Sequence, residues 1–403
     1  MLTILSVSQN YHLTGGSDQV FFRTNAILGE RGHTVIPFAA ASEKNQPSEW
    51  SGYFPPAADF EHPGLKDLGT YIYSVPAARA IQRLLAEHRP DIAHLHIYYG
   101  KLTASILAPL KRAGIPVVQT LHEYKLVCPV YTLVSNGEIC EACQGKHFYQ
   151  ALPRRCNRGS LARTALSVAE SYVSRWTGSL AKIDHFIAVS RFMRDKMIEL
   201  GVPAEKITTV YNFVDISTVA PNPDPGRYLL YFGRIERIKG LLTLLEAVAP
   251  LTHVPLKIAG DGNARDEVQV LIREKNLTHV EYLGFKSGAE LYDLVHNSLA
   301  VVVPSEWYET FGLTIVEGFA HARPVIGTRI GAIPELIEDG QDGFLVPPGD
   351  VPAIREKLLW MAENPQRVVQ MGQSGRKKVE NLFTAERYYR ELMAVYQHFT
   401  GVP

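Results

Sequence analysis

The sequence predicts an α/β protein of two domains, and three observations carry that prediction. The short continuous apolar run at 299–303 has the character of a strand buried on both faces of a parallel sheet, and residues 2–8 read as a further strand. Such runs lead through a loop into apolar residues at helical spacing, so strand and helix alternate. Midway along the 403 residues, Pro221, Pro223, Pro225 and Gly226 break any regular element and mark a linker between two cores.

Composition narrows the function classes. Hydrophobic residues make up 46% and charged residues 20% of the chain, as in ordinary globular proteins. The formal net charge is zero, so no global field favours nucleic acid. No apolar run approaches the roughly 18 residues that span a bilayer. Met1 leads straight into the first strand without a basic leader, so the chain reads as cytoplasmic.

In the first half, a strand at 2–8 meets Gly15-Gly16-Ser17-Asp18, with Ser17 or Asp18 available to cap the following helix. A glycine pair between strand and helix marks either a tight turn or a loop that lets a ligand approach the backbone. Strands follow at 92–96 and 116–121. His94 and His96 share one strand face and read as satisfied core or cleft histidines. His122 differs, because it stands at the carboxyl end of its strand, where open parallel sheets hold ligands.

All four cysteines, Cys128, Cys140, Cys143 and Cys156, fall within 29 residues, spaced Cys-x11-Cys-x2-Cys-x12-Cys. In a chain without an export signal this spacing suggests a closed, structural zinc site. Reduced cysteines, two disulfides or an iron–sulfur cluster are the competing readings. The continuation to Arg163 carries Lys146, Arg154, Arg155 and Arg158 without an acidic residue. It reads either as a solvated basic face or as a patch for lipid phosphates, followed by an amphipathic helix over 161–180.

In the second half, the loop Gly233-Arg234-Ile235-Glu236-Arg237-Ile238-Lys239-Gly240 precedes a helix at 241–248. Arg234 and Lys239 can clamp a diphosphate, while Arg237 reads as a surface residue. The densest stretch is Pro304-Ser305-Glu306-Trp307-Tyr308-Glu309-Thr310-Phe311-Gly312-Leu313-Thr314-Ile315-Val316-Glu317. Leu313, Val316, Phe319 and Ala320 recur at helical spacing, and Arg323-Pro324 stops the helix. The first amides of such a helix, at Leu313 and Thr314, form an anion site. Glu309 and Glu317, with seven residues between them, would be repelled by phosphate but accept hydrogen bonds from sugar diols. A nucleotide-diphosphate sugar fits both demands.

The Glu-x7-Glu spacing, with Ala322-Arg323-Pro324-Val325 and Gly331-Ala332-Ile333-Pro334-Glu335, strongly resembles the family 4 retaining glycosyltransferases. The resemblance implies the GT-B fold, two Rossmann-like domains facing each other across a cleft, with a C-terminal helix crossing back to the first. It divides the chain into an acceptor domain (1–215, Cys-rich insert about 126–160), a linker (216–226), a donor domain (227–384) and a crossover helix (385–403). It implies that Gly15, Gly16, Gly233, Arg234, Lys239, Phe311, Gly312, Leu313 and Thr314 surround the donor phosphates. Gly260 and Phe285 would line the nucleoside pocket, Glu317 would take the ribose, Glu309 the donor sugar, and His122 the donor sugar or its phosphate.

The family's glycine pair is usually followed by Glu where this chain has Asp18, and its His-Asp-Tyr-like motif reads His122-Glu123-Tyr124 here. Some bacterial members resemble this chain in carrying a four-cysteine insert after the His motif. The expected donor is a UDP-sugar, without a catalytic divalent metal, and the expected acceptor a saccharide or lipid-linked saccharide of surface polysaccharide or lipopolysaccharide assembly. The protein would be cytoplasmic, touching the inner membrane surface peripherally. Three rivals stand beside the transferase: a GT-B phosphorylase, for which no lysine motif speaks, a non-catalytic nucleotide-sugar sensor, and a zinc-dependent adaptor.

Overall fold

The computed structural model describes residues 1–58 and 64–401, so the expected segment 385–403 is described to 401 and its last two positions lie outside. The chain divides into two compact units. One comprises Met1–Val210 with Tyr389–Pro403, the other Tyr211–Tyr388.

The first unit holds strands β1 (Thr3–Val7), β2 (Thr34–Phe38), β3 (Ile92–Leu95), β4 (Val117–Leu121), a small hairpin of β5 (Val134–Ser135) and β6 (Glu138–Ile139), then β7 (His185–Ala188) and β8 (Ile207–Thr209). Its six-stranded parallel sheet has the order β2-β1-β3-β4-β7-β8. The sheet is buried, as the apolar runs demand; Ile4, Leu5 and Val7 are fully enclosed. The C-terminal helix Ala385–Thr400 packs its last turns on this unit: Tyr396 meets His94 Nδ1 at 2.6 Å, and Tyr389 meets His33 Nε2 at 2.9 Å.

The second unit holds β9 (Leu229–Phe232), β10 (Leu256–Ala259), β11 (Val280–Gly284), β12 (Ala300–Val303), β13 (Val325–Thr328) and β14 (Gly343–Val346). Here the order is β11-β10-β9-β12-β13-β14, again all parallel. Numbered within the unit this is 3-2-1-4-5-6, the doubly wound order. The direction of winding reverses between β9 and β12, and the loops leaving those two strands flank the crevice where such sheets take ligands.

Three local expectations need correction. The first helix, Gly16–Glu30, is capped by the extended residue Gly15 and not by Ser17 or Asp18. The Asp18 carboxylate instead turns back to accept from the Thr14 amide (2.9 Å) and hydroxyl (2.5 Å). The helix foreseen over 161–180 ends at Trp176, because Gly178 takes a left-handed conformation and a separate turn, Ser179–Lys182, follows. Its enclosed face is largely polar (Thr164, Ser167, Glu170, Ser171, Ser174), because Lys125 reaches in to pair with Glu170 at 2.7 Å. Leu313, finally, lies off the enclosed face of its helix, which is formed by Ile315, Val316, Phe319 and Ala320. Among the described residues no helix is long and apolar enough to cross a membrane.

Candidate active site

The second unit brings its two main motifs together at the winding reversal. The loop after β9 carries Gly233 to Gly240, and the loop after β12 carries Pro304 to Gly312. Adjacent strands force these loops side by side although they are about 70 positions apart in sequence. Two contacts zip them, Glu306 N donating to Ile238 O at 2.9 Å and Lys239 Nζ donating to Glu309 Oε1 at 2.6 Å. Thr243 Oγ1, from the helix Leu241–Val248 that follows the first loop, donates to Glu306 Oε1 at 2.5 Å.

Glu309 is the best-held residue of this group and is 6% exposed. Its Oε1 also accepts from Ser305 Oγ at 2.6 Å, and Thr328 Oγ1 in turn donates to Ser305 O at 2.6 Å. Burial alone would raise the carboxyl pKa, but the Lys239 ammonium and the hydrogen bonds from Lys239 and Ser305 outweigh it. The group is held below the ordinary glutamate value and stays ionised. Its backbone is clamped too, since Ala332 N donates to Glu309 O at 2.9 Å. Gly331 has φ +61°, and a Cβ there would sit 2.3 Å from Glu309 N and 2.6 Å from Glu309 O. Only glycine allows that approach.

Lys239 is therefore fixed between a carboxylate and an aromatic face, its Nζ 4.9 Å from the centre of the Trp307 ring. Arg234 is more open and pairs with Glu236 at 3.1 Å, while the Tyr231 hydroxyl donates to its carbonyl at 2.6 Å. Arg237 projects outward to Glu267, as its surface reading required.

The helix Leu313–Ala320 starts from Gly312, whose φ of +110° turns the chain into the helix. Its first amides, at Leu313 and Thr314, have no intrahelical acceptors. The Thr314 methyl lies over Gly233, 3.9 Å from where a Cβ would stand, so the glycine loop and the helix N-terminus share one corner. Glu317 is half-buried one turn along, and Phe311 is buried against Tyr211 and Phe383. Gly260 N donates to Gly284 O at 2.8 Å, joining the ends of β10 and β11. Phe285, next in the chain, is 71% exposed. Ser305, Thr243 and Glu306 went unassigned in the sequence, and only the adjacency of β9 and β12 reveals their part.

In the first unit, Gly15 and Gly16 open the helix that follows β1, at the reversal between β1 and β3. His122 stands just past β4, and its Nε2 lies 2.9 Å from His96 Nδ1. Burial lowers the His122 pKa to about 3, so the ring is neutral at physiological pH.

The four cysteines are free thiols. Among the described residues no group of three or more His, Cys, Asp or Glu side chains stands ready to hold a metal ion. All four nonetheless line one cavity of about 10 Å³, together with Val130, Val134, Ala151 and Arg154. The β5–β6 hairpin delivers Cys140 to it through an Asn136-Gly137 turn with both φ positive (52° and 84°). Burial and the neighbouring thiols push the Cys143 thiol up to about 12.

Comparison with known proteins fits this geometry. The profile of Glycosyltransferase Family 4 matches residues 14–218, and that of Glycosyl transferases group 1 matches residues 215–378. The chain belongs to glycosyltransferase family 4 and is a retaining enzyme that moves a sugar from a nucleotide sugar.

An uncharacterised glycosyltransferase of Methanocaldococcus jannaschii is 26% identical over 71% of this chain and 84% of its own length. The D-rhamnosyltransferase WbpZ of Pseudomonas aeruginosa is 32% identical over 40% of this chain and 42% of its own. Among solved structures, sucrose-phosphate synthase from Thermosynechococcus elongatus superposes with a TM-score of 0.75 at 20% identity, covering 100% of both chains. HepE of Anabaena in complex with UDP and glucose gives 0.68 at 19% identity over 98% of this chain and 99% of that one. The fold is GT-B.

Proposed function

We propose that the protein takes its sugar from a UDP-sugar and transfers it to a saccharide or lipid-linked saccharide of surface polysaccharide or lipopolysaccharide assembly. The observation that carries the donor reading is the Lys239–Glu309 pair beside a free helix N-terminus at the winding reversal of the second sheet. One group suits a phosphate and the other a hydroxyl, within one side-chain contact of each other. In this reading Arg234, Lys239 and the Leu313 and Thr314 amides hold the diphosphate, with Gly15, Gly16, Gly233 and Gly312 allowing close backbone approach. Glu317 accepts from the ribose diol, and Gly260 and Phe285 border the base. Glu309 and His122 orient the donor sugar.

The bond from the anomeric carbon to the phosphate oxygen breaks as the acceptor oxygen bonds to the same face. The acceptor proton passes to the departing phosphate oxygen. Charge on the leaving diphosphate is offset by Lys239, Arg234 and the helix amides, the work a divalent metal does in other transferases. UDP is favoured by the HepE complexes with UDP and with UDP-glucose. The acceptor class is favoured by relatives named as an O-antigen chain mannosyltransferase of Escherichia coli and a lipopolysaccharide outer core galactosyltransferase.

The cysteine cavity fits a structural Zn²⁺ in its donor set. All four cysteines border one space of about 10 Å³, which supports the reading by donor type although no three of them are placed to hold an ion. A bound cation would displace the protons that burial retains on Cys128 and Cys143. Cys128, Cys140, Cys143 and Cys156 would hold the ion, which would brace the insert and take no part in transfer. Peripheral contact with an anionic inner-membrane surface is supported by the exposed Arg155, Arg158, Arg163 and Leu161, and by Trp176 at 78% exposure.

Thermal unfolding against UDP-, GDP-, ADP- and dTDP-sugars tests the donor. A ligand at about a hundred times its Kd adds roughly 2.7 kcal/mol, a rise of about 2–4 °C in a domain of this size. A rise specific to UDP-sugars and lost in Glu317→Ala is the expected result. A rise with another base and none with UDP would refute the uridine reading.

A further inference from the structure

Three histidines line up on one face at the carboxyl end of the first sheet. β3 and β4 pair in parallel with His94 opposite Val118. Two positions further along, the His94 side chain meets Thr120, and His96, just past β3, meets His122 by the same offset of 26 residues. The two strand histidines nevertheless differ. His94 is satisfied at both nitrogens, by the Tyr396 hydroxyl (2.6 Å) and Thr120 Oγ1 (2.7 Å). Among the described residues His96 has one hydrogen-bond partner, His122, and its buried Nε2 has none. The Phe21 ring edge and the His94 ring pack around it, with centroids 5.3 and 4.4 Å away.

We propose that His96 is a positioning residue that holds His122 in a single tautomer, with its proton on Nδ1, so that His122 meets the bound substrate as a hydrogen-bond donor. The argument turns on the empty side of His96. Two neutral imidazoles 2.9 Å apart share one proton between the facing nitrogens. If that proton belonged to His122 Nε2, the proton of His96 would sit on its Nε2, a buried N–H without an acceptor among the described residues, which folded proteins avoid more strictly than an idle lone pair. The proton therefore rests on His96 Nδ1 and points at His122 Nε2, leaving the His122 proton on Nδ1. Burial keeps both rings neutral, so the arrangement holds across physiological pH. The two rings are nearly coplanar, at 13°, as an in-plane N–H···N bond requires. Among the described residues His122 Nδ1 has no hydrogen-bond partner and is the nitrogen left for a ligand oxygen. A donor there suits a sugar hydroxyl or phosphate oxygen.

The role rests on the reading of His122 as a donor-sugar residue, and the tests separate the two. In full-length protein labelled with ¹⁵N-histidine, long-range ¹H–¹⁵N correlation at pH 7.5 should show His122 protonated on Nδ1, its signals assigned by their loss in His122→Gln. Protonation on Nε2 would overturn the proposal without any appeal to activity. In kinetics, His96→Phe should lower kcat about tenfold or more, the usual cost of losing an orienting partner, with donor KM changed less than about threefold. His96→Asn, whose side-chain amide can donate where Nδ1–H did, should recover most of that loss. In the His122→Gln background His96→Phe should have no further effect on kcat. Equal losses in His96→Phe and His96→Asn, or full additivity with His122→Gln, would reduce His96 to packing and overturn the role. Full turnover in His122→Gln would overturn the underlying reading of His122 and the positioning role with it.

Discussion

At the scale of single residues, the donor site we propose in the second unit centres on one ion pair. Lys239 and Glu309 are each the other's principal partner, and both are largely enclosed, with side chains 17% and 9% exposed. Removing one partner of such a pair leaves a buried charge uncompensated. Lys239→Ala is therefore expected to do two things. It should lower kcat about a hundredfold or more, as loss of a preorganised group facing a leaving anion does. It should also destabilise the second unit by roughly 2–4 kcal/mol, less than the full cost of an orphaned ion because Ser305 still donates to Glu309. Steady-state kinetics and urea unfolding check the two halves separately, and activity within threefold of wild type would remove Lys239 from the site. Arg234, Lys239, Glu309 and Glu317 stand out in the sequence as candidates because their chemistry and spacing are local. That Lys239 bonds Glu309 could not, since the residues stand about 70 positions apart and only strand adjacency joins them. The His96–His122 bond escaped for the same reason: both histidines were visible, but the pairing register that aligns them was not.

At the scale of elements, the loops after β9 and β12 work because neighbouring segments pin their backbone. Gly331 is the sharpest case. Its left-handed φ of +61° and the 2.3 Å approach to Glu309 N leave no room for a side chain. Gly331→Ala should displace the Glu309 loop, cost about 1–3 kcal/mol through backbone strain, and lower kcat/KM at least tenfold. Unaltered kinetics in a folded variant would show that the clamp is dispensable. The strands expected at 92–96, 116–121 and 299–303 match β3, β4 and β12 to within about a residue, because these strands are enclosed along their whole length and are therefore rich in apolar residues. The helix expected over 161–180 is present as far as Trp176, and only its end differs, because the left-handed Gly178 starts a separate turn. The hairpin within the cysteine insert had a signal that went unused, the Asn136-Gly137 dipeptide. If the insert holds Zn²⁺, purified protein should contain about one zinc per chain by atomic absorption, and Cys143→Ser should lower both zinc content and Tm while leaving donor affinity in the second unit unchanged. Metal-free protein with the Tm of the native form would dismiss the zinc site.

At the scale of the whole molecule, each sheet reverses its winding once, and each reversal gathers ligand-type residues at the carboxyl ends of its strands. In the first sheet this brings neutral histidines into the interior, and acid stability pays for it. His94 is wholly enclosed, and its pKa falls from 6.5 to about 3 through burial and then through the neighbouring His122. In the second unit His321 falls to about 4, through burial and then the nearby His296 and arginines. Both folded-state values are depressed, so between pH 6.5 and the folded value the unfolded chain binds more protons than the native one. Stability is thus complete above pH 6.5 and declines as the pH falls, by roughly 1.4 kcal/mol per pH unit for each such histidine. At pH 5 the losses attributable to His94 and to His321 are each about 2 kcal/mol. The first unit should lose more than the second, because His122 titrates beside His94 with a pKa also lowered to about 3. Urea unfolding followed at pH 7.5, 6 and 5 should show two transitions that separate on acidification, the earlier one belonging to the first unit. His94→Gln, which can still hydrogen-bond but does not titrate, should flatten the pH slope of that transition by about one proton's worth while leaving the second transition unmoved. Parallel slopes in wild type and variant would mean that the buried histidines do not govern acid stability, and that the carboxylates of the two units do.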